Sequence, residues 1–555
     1  KKKSKVKSID LHPDIPMSER HNFDLANNQV EEVNKKERFH RNYAAIKVLR
    51  DCQNENRFAT PDEQKILSRY VGWGGIPEAF DDRAGAWHTE YAMLKNILTP
   101  EEYASAREST LTAFYTPPEV STAIYKVLEQ MGFQEGNLLE PSCGIGNFIG
   151  MLPKSMENAK VYGVELDTIS AGIAQQLYQK SSIAAQGFEE VNVPDSFFDG
   201  IIGNVPFGEI RVNDSRYNAQ KFLIHDYFFA KALDKVRAGG VVMFITSKGT
   251  MDKASPEVRK YIAQRAELLG AIRLPDNTFR ANAGTDVVSD IIFLQKRDRP
   301  ADIEPDWVQL GKTEDGFAIN QYFVDHPEMV LGELTAESTQ YGREELTVVP
   351  IEGAVLADQL AEAVQHIEGQ YVEVEVETPD VADAEVERKT LPADPDVKNF
   401  SYAVVDGEVY YRENSIMTQV ELSDNAKARV TGMVELRQIV NQLIQEQLDD
   451  YPDEDIKATQ AKLNTAYDAF TAKYGLLNDR KNGRLFEDDS SYYLLCSLEN
   501  LEENKQLKSK ADMFTKRTIR PEHTVTSVDT PSEALAVSIG EHGRVDLPYM
   551  AELLG

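Results

Sequence analysis

The sequence predicts an α/β fold built on a mostly parallel sheet. Three observations carry that expectation. Between residues 114 and 296, short apolar runs alternate with helical patterns. A Gly-x-Gly turn follows the first of these runs, and acidic residues end the second. With 555 residues and 41% hydrophobic side chains, the chain can bury more than one core, and its length favours about two to four domains.

The strands expected in order are Leu138–Glu140, Val161–Glu165, Phe197–Ile202, Val241–Thr246, Leu269–Leu274 and Ile291–Gln295. Each is a short apolar run, the length of a buried strand. Helical patterns fall between them at Pro118–Gln130, Ile169–Gln179, Ala219–Val236 and Pro256–Glu267. Alternation of this kind places helices on both faces of the sheet.

Residues 1–109 read as a helical region. Its first helical pattern covers Val30–Leu49. A second starts after Thr60, a candidate cap with Pro61 at the first helical position and Glu63 three residues on. Val71-Gly-Trp-Gly-Gly-Ile-Pro77 then predicts a tight corner that packs its tryptophan on a neighbour.

Past residue 300 the texture changes. Residues 301–420 read as an acidic α+β segment with a linker, and residues 421–555 as mostly helical. Tyr371–Glu377 alternates valine with acid, the pattern of a half-exposed strand, and residues 378–396 read as linker. Tyr402–Tyr411 predicts a hairpin turning at Asp406-Gly407. Residues 424–449 and 453–475 predict two amphipathic helices packed through Val430, Met433, Val434, Val440, Leu443 and Ile444. Two further helices are expected at Ser532–Gly540 and from Val545, with Asp546 as the second one's cap.

Net charge is −31, and nearly all of the excess lies beyond residue 300. The middle of the chain is close to neutral, so a basic face for nucleic acid remains open there. No apolar run reaches the roughly 18 residues of a membrane span. Neither the three cysteines nor the nine histidines have metal-ligand or disulfide-framework spacing, so no metal is expected and a reducing cytoplasm fits. The chain begins without Met, as a fragment or processed product would.

The chemistry-bearing residues start at Glu140-Pro-Ser-Cys-Gly-Ile-Gly-Asn-Phe148. Gly144 and Gly146 let backbone approach a ligand, and Glu165 at the next strand's tip can accept both hydroxyls of a ribose. There is no third glycine at dinucleotide spacing and no phosphate-loop lysine, and Glu140 would repel a pyrophosphate. A nucleoside without a charged phosphate, such as S-adenosylmethionine, suits this turn better than NAD or ATP. Asn204-Val-Pro-Phe207 ends the strand begun at Phe197. An amine on an aromatic ring is a weak nucleophile because its lone pair is delocalised. The Asn204 side-chain oxygen and the Val205 carbonyl can each accept one amine hydrogen, Pro206 stiffens the turn, and Phe207 can stack on the ring.

Together these residues resemble the N6-adenine DNA methyltransferases of the Asn-Pro-Pro-aromatic type, with Val205 at the first proline position. The resemblance spans roughly residues 110–298 and implies a methyltransferase domain over residues 110–300, with a Rossmann-like, S-adenosylmethionine-dependent sheet. It assigns Ala113-Phe-Tyr-Thr-Pro-Pro-Glu119 to the methionine end of the cofactor, through Tyr115 and Thr116. It assigns Glu140, Pro141, Cys143, Gly144, Gly146, Asn147 and Phe148 to the cofactor loop, Glu165 and Leu166 to the ribose side, Phe188 to the adenine, and Asn204 to both partners. Gln186 stands where the family often has an aspartate, which leaves the adenine amine contact open. Ala283-Gly-Thr285 and Ile291–Leu294 match later parts of the same pattern.

Arg69–Glu78, Lys473–Leu477 and Ala511–Arg517 resemble the methyltransferase–helicase fusions of phages, plasmids and integrative elements. That resemblance implies DNA as substrate, a modification or anti-restriction role, and a helicase domain in a longer polypeptide. No Walker-type phosphate loop occurs within the chain. The last two helices resemble the start of a helix-turn-helix, and a plain helical pair fits them equally. Two rival readings stay open: methylation of an amine or amide in RNA or protein, and a catalytically silent DNA-shielding module.

Overall fold

The computed structural model describes residues 11–28, 33–110, 116–191, 193–280, 287–338, 344–371, 389–502, 504–519, 528, 530–542 and 544–554. The chain divides into two units, residues 1–387 and 388–555.

The first unit is centred on a seven-stranded sheet. Its strands are β1 (Asn137–Glu140), β2 (Lys160–Glu165), β3 (Ser182–Ala185), β4 (Phe198–Asn204), β5 (Val236–Ser247), β6 (Ala266–Leu274) and β7 (Ser289–Lys296). Their order is β3-β2-β1-β4-β5-β7-β6. All neighbours run parallel except β7, which lies antiparallel between β5 and β6. Chain order reverses beside β1, so the carboxyl ends of β1 and β4 lie side by side at the crevice where α/β sheets bind ligands. The apolar runs of β4, β5 and β7 are buried from end to end, as strands covered on both faces must be.

Six expected strands and the helix Pro118–Gln130 form within a few residues of their expected bounds. The strand β3 was not anticipated. The helix expected from Ala219 starts instead at Ile224, because residues Asn218–Gln220 make a separate 3₁₀ turn and Lys221 takes φ +54°. A left-handed residue cannot continue a right-handed helix.

Residues 23–106 form a second core of this unit, against the helix Thr168–Leu177 and its flanks. Trp73 is fully buried, edge-on to Tyr70 and Phe80, as the glycine-rich corner requires. The Thr60–Glu63 capping box is present. The helix expected from Val30 begins at Lys35, capped by Asn34.

Residues 301–371 also belong to this unit. Ile319, Phe323, Met329, Leu360, Val364 and Ile367 join the core of the seven-stranded sheet. Arg273 on β6 anchors the attachment. Its guanidinium is fully buried, bonds Asp290 at 2.8 and 2.9 Å and Asp252 at 2.7 Å, and lies 4.4 Å from the Phe323 ring. Asp252 in turn accepts the Asn320 backbone N–H at 3.0 Å. Of the strand expected at Tyr371–Glu377, all but Tyr371 lies outside the described residues.

The second unit joins a four-stranded antiparallel sheet to a helical hairpin. Asp406 and Gly407 both take positive φ, +51° and +78°, as a two-residue hairpin turn demands. Helices Asp424–Leu448 and Asp453–Tyr474 pack together, with Val430, Met433, Val434, Val440 and Leu443 buried. Arg437 joins this hairpin to the sheet by an ion pair with Asp489 and a 2.6 Å bond to the Tyr402 carbonyl. Residues Pro531–His542 and Leu547–Leu554 form the last two helices, and Asp546 accepts the Tyr549 N–H at 3.3 Å. Among the described residues, no helix is long and apolar enough to cross a membrane.

Candidate active site

The site is built on the ends of β1, β2 and β4. Beyond β1 the chain turns sharply. The Cys143 N–H donates to the Val164 carbonyl at 2.9 Å, and the Gly146 N–H donates back to the Cys143 carbonyl at 2.7 Å. Gly144 and Gly146 take φ of +55° and +85°, which L side chains rarely adopt. A second reason fixes Gly146: a Cβ there would lie 2.5 Å from the buried ring of Tyr178. The turn is thus shaped by a tyrosine beneath it, a contact that no pattern in the sequence marks.

Glu165 closes the turn from the β2 side. One carboxylate oxygen accepts the Gly144 N–H at 2.7 Å and the other the Asp167 N–H at 2.8 Å. Burial pushes this carboxyl up to about 7, outweighing the backbone donors that favour its charge. Glu140 is 4% exposed, and its Oε2 has no hydrogen-bond partner among the described residues. Burial, and then the charge of Glu165, raise the Glu140 carboxyl well above the carboxylate range. Two buried carboxyls facing one turn make a site that favours positive charge. Leu166, next to Glu165, is 72% exposed.

The Asn204 tip adjoins this turn directly. The Ser142 hydroxyl donates to the Asn204 carbonyl at 2.8 Å, and the Val205 N–H donates to Ile245 of β5 at 3.1 Å. The loop is pinned on both sides as it leaves β4. Asn204, Pro206 and Phe207 are half-buried, Val205 is buried, and Gly208 is exposed. Ser142 was not among the residues expected to matter, although its place between the two motifs could have marked it.

The remaining expected contacts divide. Thr116 and Pro141 are buried and Asn147 half-buried near the start of its short helix. The side chains of Cys143 and Phe148 are buried, so these two residues offer a ligand their backbone alone. Burial, followed by Glu140 and Glu165, raises the Cys143 thiol well above its usual range, away from nucleophilic form. Phe188 departs from expectation: its ring is 2% exposed and lies 5.0 Å from the Phe228 ring. The apolar face of the helix Ile224–Lys235 captures it, so the ring is part of the core and not an open adenine platform. Tyr115 and the segment Ala283–Thr285 lie outside the described residues. No group of three or more His, Cys, Asp or Glu is placed to hold a metal among the described residues.

The N-6 DNA methylase family model matches residues 97–314, and a model described as a probable helicase winged helix domain matches residues 527–555. Defense against restriction protein B of Escherichia phage P1 is 29% identical over 243 residues, 43% of this chain and 9% of that protein. Type II methyltransferase M.CvrRI of Paramecium bursaria Chlorella virus XZ-6E is 37% identical over 95 residues, 17% of this chain and 24% of that protein. The chain therefore spans less than a third of the length of either relative. The solved methyltransferase subunit of a type I restriction-modification system from Streptococcus thermophilus is 16% identical with a TM-score of 0.31, over 49% of this chain and 68% of that one. The sheet order, the glycine turn and the Asn204 tip all fall within residues 97–314, the stretch that matches the N-6 DNA methylase family model.

Proposed function

We propose that the chain transfers a methyl group from S-adenosylmethionine to the N6 amine of adenine in DNA. The observation that carries this reading is the 2.8 Å bond from Ser142 to the Asn204 carbonyl. It joins the glycine turn to the loop suited to grip an amine, so a cofactor's methyl group and a target nitrogen would meet at one place.

The residues present fit the cofactor. Glu140 supplies a buried carboxyl with an unpartnered oxygen, the complement of the methionine ammonium. Binding that cation would draw the proton from Glu140 and turn the expense of its burial into an ion pair. Glu165 keeps lone pairs for the ribose hydroxyls, and exposed Leu166 offers the adenine an apolar face. When bound, S-adenosylmethionine supplies an electrophilic methyl on a good leaving group, so the protein needs no nucleophile of its own.

The chain's own part is to position and polarise. The Asn204 side-chain oxygen and the Val205 carbonyl accept the two amine hydrogens and hold the nitrogen lone pair towards the glycine turn. Phe207 stacks on the base once it leaves the helix. Adenine-specific action on DNA is supported by the family match and by the Asn-x-Pro-aromatic order. The helicase-type match at residues 527–555 supports a helicase as working partner.

The test is transfer of tritiated methyl from the cofactor to DNA, RNA and protein side by side. DNA should be labelled, with the label in N6-methyladenine. Asn204→Ala should lower transfer by about 100-fold or more, the scale of losing one positioned polar group, while cofactor binding stays within about twofold. Undiminished transfer by that variant, or label in RNA or protein alone, would overturn the reading.

A further inference from the structure

Among the described residues of the first unit, the two most exposed large aliphatic side chains are Leu166, at 72%, and Ile210, at 62%. Both flank the candidate site. Leu166 follows Glu165, and Ile210 stands three residues past Phe207. A lone exposed aliphatic is ordinary on a protein surface. Ile210 differs in being held out by a braced loop.

The Ile210 carbonyl accepts the Ile224 N–H at 2.8 Å, which ties it to the first turn of the next helix. Beyond it, Asp214 accepts the Tyr227 hydroxyl at 2.8 Å and the Lys231 ammonium at 3.1 Å. Arg216 bridges Asp195 at 2.7 Å and Asp234 at 2.9 Å, and buried Tyr217 donates to Asp234 at 2.5 Å. The loop is thus anchored by a backbone bond at Ile210 and by charged bonds from Asp214 to Tyr217, and between these anchors and Phe207 the isoleucine side chain stands exposed. The side chain forfeits the burial that would stabilise it, and Arg211 beside it is exposed too.

We infer that Ile210 is a wedge for duplex DNA. It enters the base stack where the target adenine swings out, and Arg211 meets the adjoining phosphate. Apolar wedges of this type separate base steps when they stand on rigid backbone, and an aliphatic beside a cation suits a stack edged by phosphates. The inference rests on the reading of the chain as a DNA adenine methyltransferase, and it names how that site obtains its base.

The experiment compares transfer of labelled methyl to adenine-unmethylated phage DNA, native and heat-denatured. The proteins are the wild-type chain, Ile210→Ser and Ile210→Phe. Ile210→Ser should lose about tenfold on native DNA and stay within about twofold on denatured DNA, where no stack has to be opened. Ile210→Phe should keep most activity on both. Activity on the denatured DNA doubles as proof that the variant is folded. Equal losses on both DNAs, no loss on native DNA, or a wild-type chain that labels only denatured DNA would overturn the wedge and leave the methyltransferase standing. No label on either DNA with the wild-type chain would overturn the parent reading, and the wedge with it.

Discussion

Glu165 gives the sharpest test of the site's electrostatics. Its carboxyl is held at about 7 in the folded chain against an ordinary value of 4.5. The folded state therefore keeps a proton that the unfolded state releases between those two pH values. Stability should fall as pH rises through that window and level off above it. From pH 5 to pH 7.5 the loss from this group alone integrates to about 2 kcal/mol. Glu165→Gln abolishes the titration. It also sets an amide NH₂ against the Gly144 or Asp167 N–H, a penalty that does not depend on pH and cancels in the comparison. Glu140 titrates in both proteins, and losing the Glu165 charge eases its burial, which adds to the difference in the same direction. The assay is urea denaturation followed by tryptophan fluorescence. All three tryptophans, Trp73, Trp87 and Trp307, lie in the first unit, so the signal reports that unit alone. Relative to wild type, Glu165→Gln should gain about 2 kcal/mol between pH 5 and pH 7.5. An offset that is the same at both pH values would refute the argument that this carboxyl is buried at the expense of stability.

Other substitutions test the frame around the site. Gly146→Ala puts a methyl 2.5 Å from the Tyr178 ring at φ +85° and should lose about 2 kcal/mol or more in the same denaturation assay. Tyr178→Leu in the same chain should recover part of that loss. Arg273→Ala strands Asp290 in the core and should cost about 3–5 kcal/mol, with partial recovery when Asp290→Asn is added.

Much of the site was legible because it depends on backbone. A glycine turn after one apolar run and an asparagine after another fix both motifs to carboxyl ends of strands, and adjacency of β1 and β4 then brings them together. Details that depend on side chains from distant segments were not legible. Tyr178 beneath Gly146 looks like any helix-end aromatic, and no periodicity shows which glycine it opposes. Phe188 reads as a ligand-facing ring until Phe228, forty residues on, is found against it. The strand β3 was not legible because Ser182-Ile-Ala-Ala185 has one large apolar side chain in four residues, too little for a pattern. The packing of residues 301–371 was not legible because their buried side chains are spread over short elements whose partners include β6 and the helix Pro118–Gln130.

The attachment through Arg273 decides where this protein can be divided for biochemical work. A cut at residue 300 looks natural on composition. It would remove Phe323 from the Arg273 guanidinium and Asn320 from Asp252. It would also remove residue 331, whose N–H donates to the Arg273 carbonyl at 2.9 Å. The severed fragment would expose an apolar seam along β6 and invite aggregation during purification. Expression of the first unit alone should therefore extend at least through Tyr371, whose ring packs on Phe133 and whose hydroxyl reaches Asp199 at 3.1 Å.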